Sequence, residues 1–112
     1  MDNAVVKYTV TIPSGAATSE ALALPESFYL AGVIIPVMTT STSLKFQVSV
    51  DGITYYDFYD QGGTLVGVTF NPANTGAYVV KQSDFNCWAY LKVNVANNQA
   101  ADRTIGLVLK TY

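Results

Sequence analysis

The chain has 112 residues, of which 50% are hydrophobic and 12% charged, and a formal net charge of −2. That length holds one domain, and that apolar content excludes a disordered chain. The six basic residues, Lys7, Lys45, Lys81, Lys92, Arg103 and Lys110, form no cluster, which argues against neutralising a row of phosphates and so against a nucleic-acid partner.

The dominant period along the chain is two, the period of a half-buried strand. Val6, Tyr8, Val10 and Ile12 alternate with Lys7, Thr9 and Thr11, and Pro13-Ser14-Gly15 ends the run with turn chemistry. Thr18–Leu24 alternates more weakly and stops at Pro25. Ser27–Ile35 is almost continuously apolar and β-branched, as suits a strand buried on both faces or one at a subunit contact. Pro36 closes it, and a Thr/Ser-rich loop follows.

Leu44, Phe46, Val48 and Val50 then point one way while Lys45, Gln47, Ser49 and Asp51 point the other. Asp51-Gly52 joins this run directly to Ile53–Tyr59, which predicts a hairpin closed by a type I′ turn. After Gln61-Gly62-Gly63, Thr64–Phe70 reads as a strand with Val66, Val68 and Phe70 on one face. A long turn over Asn71–Gly76 leads to a short strand, Ala77–Lys81. Gln82–Asn86 is a bridge in which Ser83-Asp84 suits the cap of a single helical turn. Cys87–Val95 places Ala89, Leu91, Val93 and Val95 inward, and Thr104–Tyr112 places Ile105, Leu107 and Leu109 inward. Eight or nine short strands without a long amphipathic helix predict one all-β domain over residues 1–112, an antiparallel β-sandwich of jelly-roll type. Residues 1–5 are expected to form an extended N-terminal arm.

Several chemistries are missing. No histidine is present, so Ser-His-Asp and Cys-His catalysis and histidine ligation of zinc are excluded. The single cysteine, Cys87, forms no intrachain disulfide and reads as a small buried hydrophobe beside Trp88 in a protein made in a reducing cytosol. Glu20, Glu26, Asp51, Asp57, Asp60, Asp84 and Asp102 show no pairing that a two-carboxylate hydrolase needs. Asp57 and Asp60 near Gly62 form no spaced calcium loop. No catalytic, cofactor or metal site is expected, and the chain is expected not to be an enzyme. Its N-terminus is too polar for a signal peptide, and its longest apolar run, Phe28–Met38, is too short for a membrane span and contains Pro36.

The surface must then be covered by Ser, Thr, Asn, Gln, Gly and Tyr, with a mean hydropathy of +0.25 for the whole chain. So little charge tolerates close contact with other protein, which points to permanent assembly. Tyrosine is the residue suited to such contacts, and the chain has 8. Tyr55, Asp57 and Tyr59 share one face of their strand by alternation, and with Tyr90 they are the candidate interface residues. Tyrosine beside aspartate is also a sugar-stacking arrangement, so a glycan-binding face is the alternative.

The stretches Leu44–Phe58, Trp88–Val93, Asn98–Ile105 and Leu24–Phe28 together resemble small virion proteins of tailed bacteriophages, of the kind encoded near the major capsid protein. The resemblance covers roughly residues 20–112 and rests on strand and turn patterns. It implies a capsid decoration or cement protein, a small β-domain present in many copies as a homo-oligomer on the capsid surface, made in the host cytoplasm. The partner it implies is the major capsid protein. The strand–Asp-Gly–Tyr element is also similar to galactose-binding jelly rolls, which would place the chain as a carbohydrate-binding module of a tail spike, a fibre or an extracellular enzyme.

Overall fold

The period-two segments form strands that pack face to face. The computed structural model describes residues 5–80 and 88–111 and contains nine strands: β1 (Val5–Ile12), β2 (Leu22–Ala23), β3 (Phe28–Ile35), β4 (Ser43–Ser49), β5 (Tyr56–Asp57), β6 (Gly67–Thr69), β7 (Gly76–Val79), β8 (Tyr90–Val95) and β9 (Arg103–Thr111). One sheet has the order β1-β9-β3-β7, and the other β2-β8-β4-β5 with β6 also on β4. All pairings are antiparallel.

β5 and β6 are one strand position interrupted by an excursion. Asp57 pairs with Gln47, the Phe58 amide donates to the Phe46 carbonyl, and the ladder on β4 resumes with Gly67 opposite Lys45. Residues 59–66 fold out between them as a small hairpin closed by the Tyr59–Leu65 bridge. With β5 and β6 counted together, the chain passes between the sheets at nearly every connection, and β9 returns beside β1. That is the jelly-roll order the strand spacing predicts.

The core lies between the sheets. Val10, Ile12, Leu30, Val33 and Ile35 meet Leu44, Phe46, Val48, Leu91 and Val93, with Ile105, Leu107 and Leu109 beside them. These are the inward sets that alternation predicts for β4, β8 and β9 and for the second half of β1, where Val10 and Ile12 are buried; Tyr8 of the same set is a correction, since it is 39% exposed. Ala89 is a correction, since it lies exposed ahead of β8. The weak alternation at Thr18–Leu24 yields only the two-residue β2, because Leu22 and Ala23 alone stay in register with β8.

β3 changes phase midway. Leu30 opposes Leu109, but Gly32 opposes the next residue, Val108, so Ala31 is an extra residue in the strand. Phe28 and Leu30 face inward before this bulge and Val33 and Ile35 after it, which explains the unbroken apolar run. The Ala31 carbonyl accepts the Val80 amide at 3.0 Å, so the bulge also fixes where β7 joins the sheet.

One end of the sandwich is closed by a polar side chain. Gln99 is fully buried in the loop between β8 and β9. Its Oε1 accepts the Thr39 amide at 2.7 Å, and its Nε2 donates to the Asn97 carbonyl at 2.9 Å. Its own amide donates to Ala16 O at 2.9 Å, and its carbonyl accepts the Gly15 amide at 2.7 Å. Three loops are thereby held by one residue. Residues 1–4, and Ser83, Asp84 and Cys87 with their expected cap and burial, lie outside the described residues. Val5, placed in the arm by sequence, is instead the first residue of β1 and pairs with Lys110.

Gln99→Leu keeps most of the volume and removes both amide bonds, leaving the Thr39 N–H buried and unpaired. The variant should lose about 2–3 kcal/mol of unfolding free energy, read from the urea midpoint at unchanged m-value.

Candidate interaction surface

The outward face of the second sheet collects most of the side chains that sequence nominates. Lys92, Gln47 and Asp57 stand in one cross-strand row, and Tyr90 opposes Ser49 in the next. Gln47 Nε2 donates to the Asp57 carboxylate at 3.2 Å. Tyr55 lies just ahead of β5, and the Lys92 ammonium sits 4.3 Å from its ring centroid, a cation–π contact. Burial raises the Tyr55 phenol above its ordinary value, helped by the nearby Tyr90 and Asp51. Tyr55, Asp57 and Tyr90 are therefore brought to one face. Tyr59 is not, because it leaves β4 at the start of the 59–66 excursion.

The loop between β4 and β5 is built differently from the predicted turn. Val48 pairs with Tyr56, so residues 49–55 close the hairpin, and a two-residue type I′ turn is absent. Gly52 has φ of 77°, but Asp51 is not left-handed. Asp51 instead folds the loop around its own carboxylate. Its Oδ1 accepts the Ile53 amide at 2.9 Å, the Thr54 amide at 3.1 Å and the Ser49 hydroxyl at 3.0 Å. The Ser49 Oγ in turn accepts the Gly52 amide at 2.9 Å and the Asp51 amide at 3.2 Å. These bonds, led by the Ile53 and Thr54 amides, hold the Asp51 carboxyl below its ordinary value of 3.8. Gly52 lies flat on the Tyr90 ring, where a Cβ would come within 3.1 Å of Cζ. Ser49 is buried beneath the loop.

This framework holds up an apolar tip. On the loop Ile53 is 83% exposed and Val50 67%, and Tyr56 at the start of β5 is 63% exposed. Val50, predicted inward by alternation, points to solvent because β4 ends at Ser49. Exposed apolar groups on and beside a loop held by its own hydrogen bonds suit a contact surface. Ile53 lies in a turn, where strand alternation gives no direction, and Tyr56 falls on the face opposite the nominated set yet is exposed because β5 is a short edge strand. The Ser49-x-Asp51-Gly52 pattern, whose side chains bond the amides that follow, is the signal for such a loop.

Asp57 and Asp60, the acids beside Gly62, are both engaged by the protein itself. Asp60 Oδ1 accepts the Gly62 and Thr64 amides at 2.9 Å each, while Asp57 holds Gln47. Among the described residues no group of three or more metal-ligating side chains occurs.

The fold recurs in a prophage-derived protein. The SPBc2 prophage-derived protein YomS superposes with a TM-score of 0.56 at 15% identity, over 96% of each chain. A chain of the Bacillus endospore appendages, described as disulfide-linked pili, gives a TM-score of 0.46 at 14% identity, over 99% of this chain and 90% of that one. A chain of the cyanophage Pam1 capsid asymmetric unit gives 0.47 at 16% identity, over 99% and 84%. At such identities the likeness is one of fold, and the latter two superpose more loosely. No family model and no curated protein matches the chain.

The Asp51 bonds carry a pH dependence. A carboxyl held below its ordinary value stabilises the loop above pH 3.8, and the effect is lost as pH falls through the lower, folded value. Protection factors at Ile53 and Thr54, the observed amide exchange referred to the intrinsic rate at each pH, should be high at pH 5, fall only below pH about 3.8, and be low at all pH values in Asp51→Ala.

Proposed function

We propose that this chain is a non-catalytic structural component of a phage particle, a decoration or cement protein that docks on the major capsid protein at the outer surface of the shell. The observation that carries this reading is the rigid apolar tip of Val50, Ile53 and Tyr56 on a small jelly-roll scaffold. A tip ordered before contact loses little entropy on docking, so a small area suffices. Repetition by shell symmetry then turns a modest contact into firm attachment.

Other observations support it. The chain shares its fold, over nearly its full length, with a prophage-derived protein. Its surface is sparsely charged, which suits packed assembly. The neighbouring Tyr55 ring carries an ammonium on one face and Tyr90 carries Gly52, so both are positioned to brace the tip. That same occupancy removes a ring face that a sugar would stack on, which favours protein contact over the glycan alternative.

Ile53→Asp places a charge at the apex without touching the core, and should change folding stability by no more than about 0.5 kcal/mol. Its co-sedimentation with shells stripped of the native protein should weaken by at least about tenfold. Quantitative mass spectrometry of purified particles should find a copy number comparable to the capsid protein. Undiminished binding of the variant, or release of the wild type by free sugar, would refute tip docking.

A further inference from the structure

Among the described residues the open sheet edges are guarded by a cap, a charge or shortness (β6 has three residues), with the edge of β7 the exception. An unguarded edge is an invitation to pair with another strand, and proteins blunt it with charge, shortness or a cap. On the outer edge of β1 the Thr11 amide donates to the Glu20 carboxylate at 2.5 Å. β2 is two residues long, and β5 carries Asp57. β7, Gly76-Ala77-Tyr78-Val79, carries no charge and has no cap among the described residues, and Val79 is 90% exposed.

The free groups of this edge are identifiable. The Val80 amide donates to the Ala31 carbonyl, so by alternation Tyr78 also bonds toward β3. The amides and carbonyls of Ala77 and Val79 therefore point away from the sheet. Beside them, on the outward face, lies an apolar depression of about 240 Å³ whose floor is Gly32 and whose walls are Ile34, Ala77, Val79 and Val108. The strand is stiffly held, since the Tyr78 hydroxyl accepts the Asn71 amide at 3.1 Å and its ring packs over Gly76.

We infer that β7 pairs antiparallel with β7 of a second copy of this chain, about a two-fold axis at Tyr78. Self-complementarity singles out this occupant. That axis sets Ala77 of one copy opposite Val79 of the other, twice, and these are the residues whose backbone groups are free. It makes two hydrogen-bonded pairs, about four backbone bonds in all. On the outward face each exposed Val79 meets the small Ala77 of its partner and reaches the partner's depression. Neither β7 nor the residues lining the depression carries a charge, so no like-charge repulsion or charge desolvation opposes the contact. The contact is well below the standard ~1,600 Å² interface, so the dimer is weak alone and gains from repetition in an assembly. The inference deepens the self-assembly side of the proposed function and does not depend on tip docking.

Sedimentation equilibrium of the full-length chain under reducing conditions, which keep Cys87 out of disulfides, tests it. The wild type should show a reversible monomer–dimer equilibrium with a dissociation constant of about 10–100 μM. Val79→Lys, at an exposed position, should raise that constant at least about tenfold. Ala77→Pro removes a donor that the monomer ladder does not use and should do the same at an unchanged circular dichroism spectrum. Ile53→Asp should leave the dimer intact, which separates failure of this interface from failure of shell docking. A wild type that stays monomeric at all concentrations, or a dimer indifferent to Val79→Lys, overturns the inference.

Discussion

The bulge at Ala31 is the constraint on which the first sheet depends. A strand of strict period two would turn Val33 and Ile35 to the outside and draw Gly32 and Ile34 into the core. One extra residue reverses this. It fills the core with the branched pair and leaves a glycine beside Ile34 on the outside, which is why that face has an apolar hollow at all. The same residue gives its carbonyl to Val80 and so sets the height at which the edge strand is attached. Core filling, hollow and free edge are consequences of a single insertion.

The two ends of the sandwich solve a common problem by similar means. Long loops carry backbone amides that no ladder satisfies. At one end Gln99 supplies a buried amide that reaches three loops. At the other, Asp51 and Ser49 supply oxygens that gather the amides of one loop. The first is buried and stabilises the fold. The second, whose carboxylate is exposed and whose Ser49 is buried beneath the loop, stabilises a shape and leaves the apolar side chains free to face outward.

Much of this architecture is legible in the residues. β1, β4, β8 and β9 declare themselves by alternation, because each has one face in the core and one in water. The gathering of Tyr55, Asp57 and Tyr90 follows from the same parity. Other features leave no such trace. The bulge is hidden because Ala31 sits within an apolar run that reads equally well in either phase. Gln99 looks like any polar loop residue, since its burial depends on Thr39 and Ala16, which are distant in sequence. The tip escaped because Asp51-Gly52 has two local solutions. The longer one wins here because Ser49 and Asp51 together bond the amides that a tight turn would leave to water, and Gly52 finds a ring to rest on.

The interrupted strand has an evolutionary consequence. β4 is paired up to Phe58 and again from Gly67, and the segment between returns to the point from which it left. Its length is thus uncoupled from the register of the sheet. Residues can be added or lost at its outer end, around Gly62 and Gly63, without displacing a core side chain, while Val66 at its base packs against the core. In a lineage this makes the excursion a place where new loops accumulate while the framework stays constant, and in the laboratory a place to graft a foreign peptide for multivalent display.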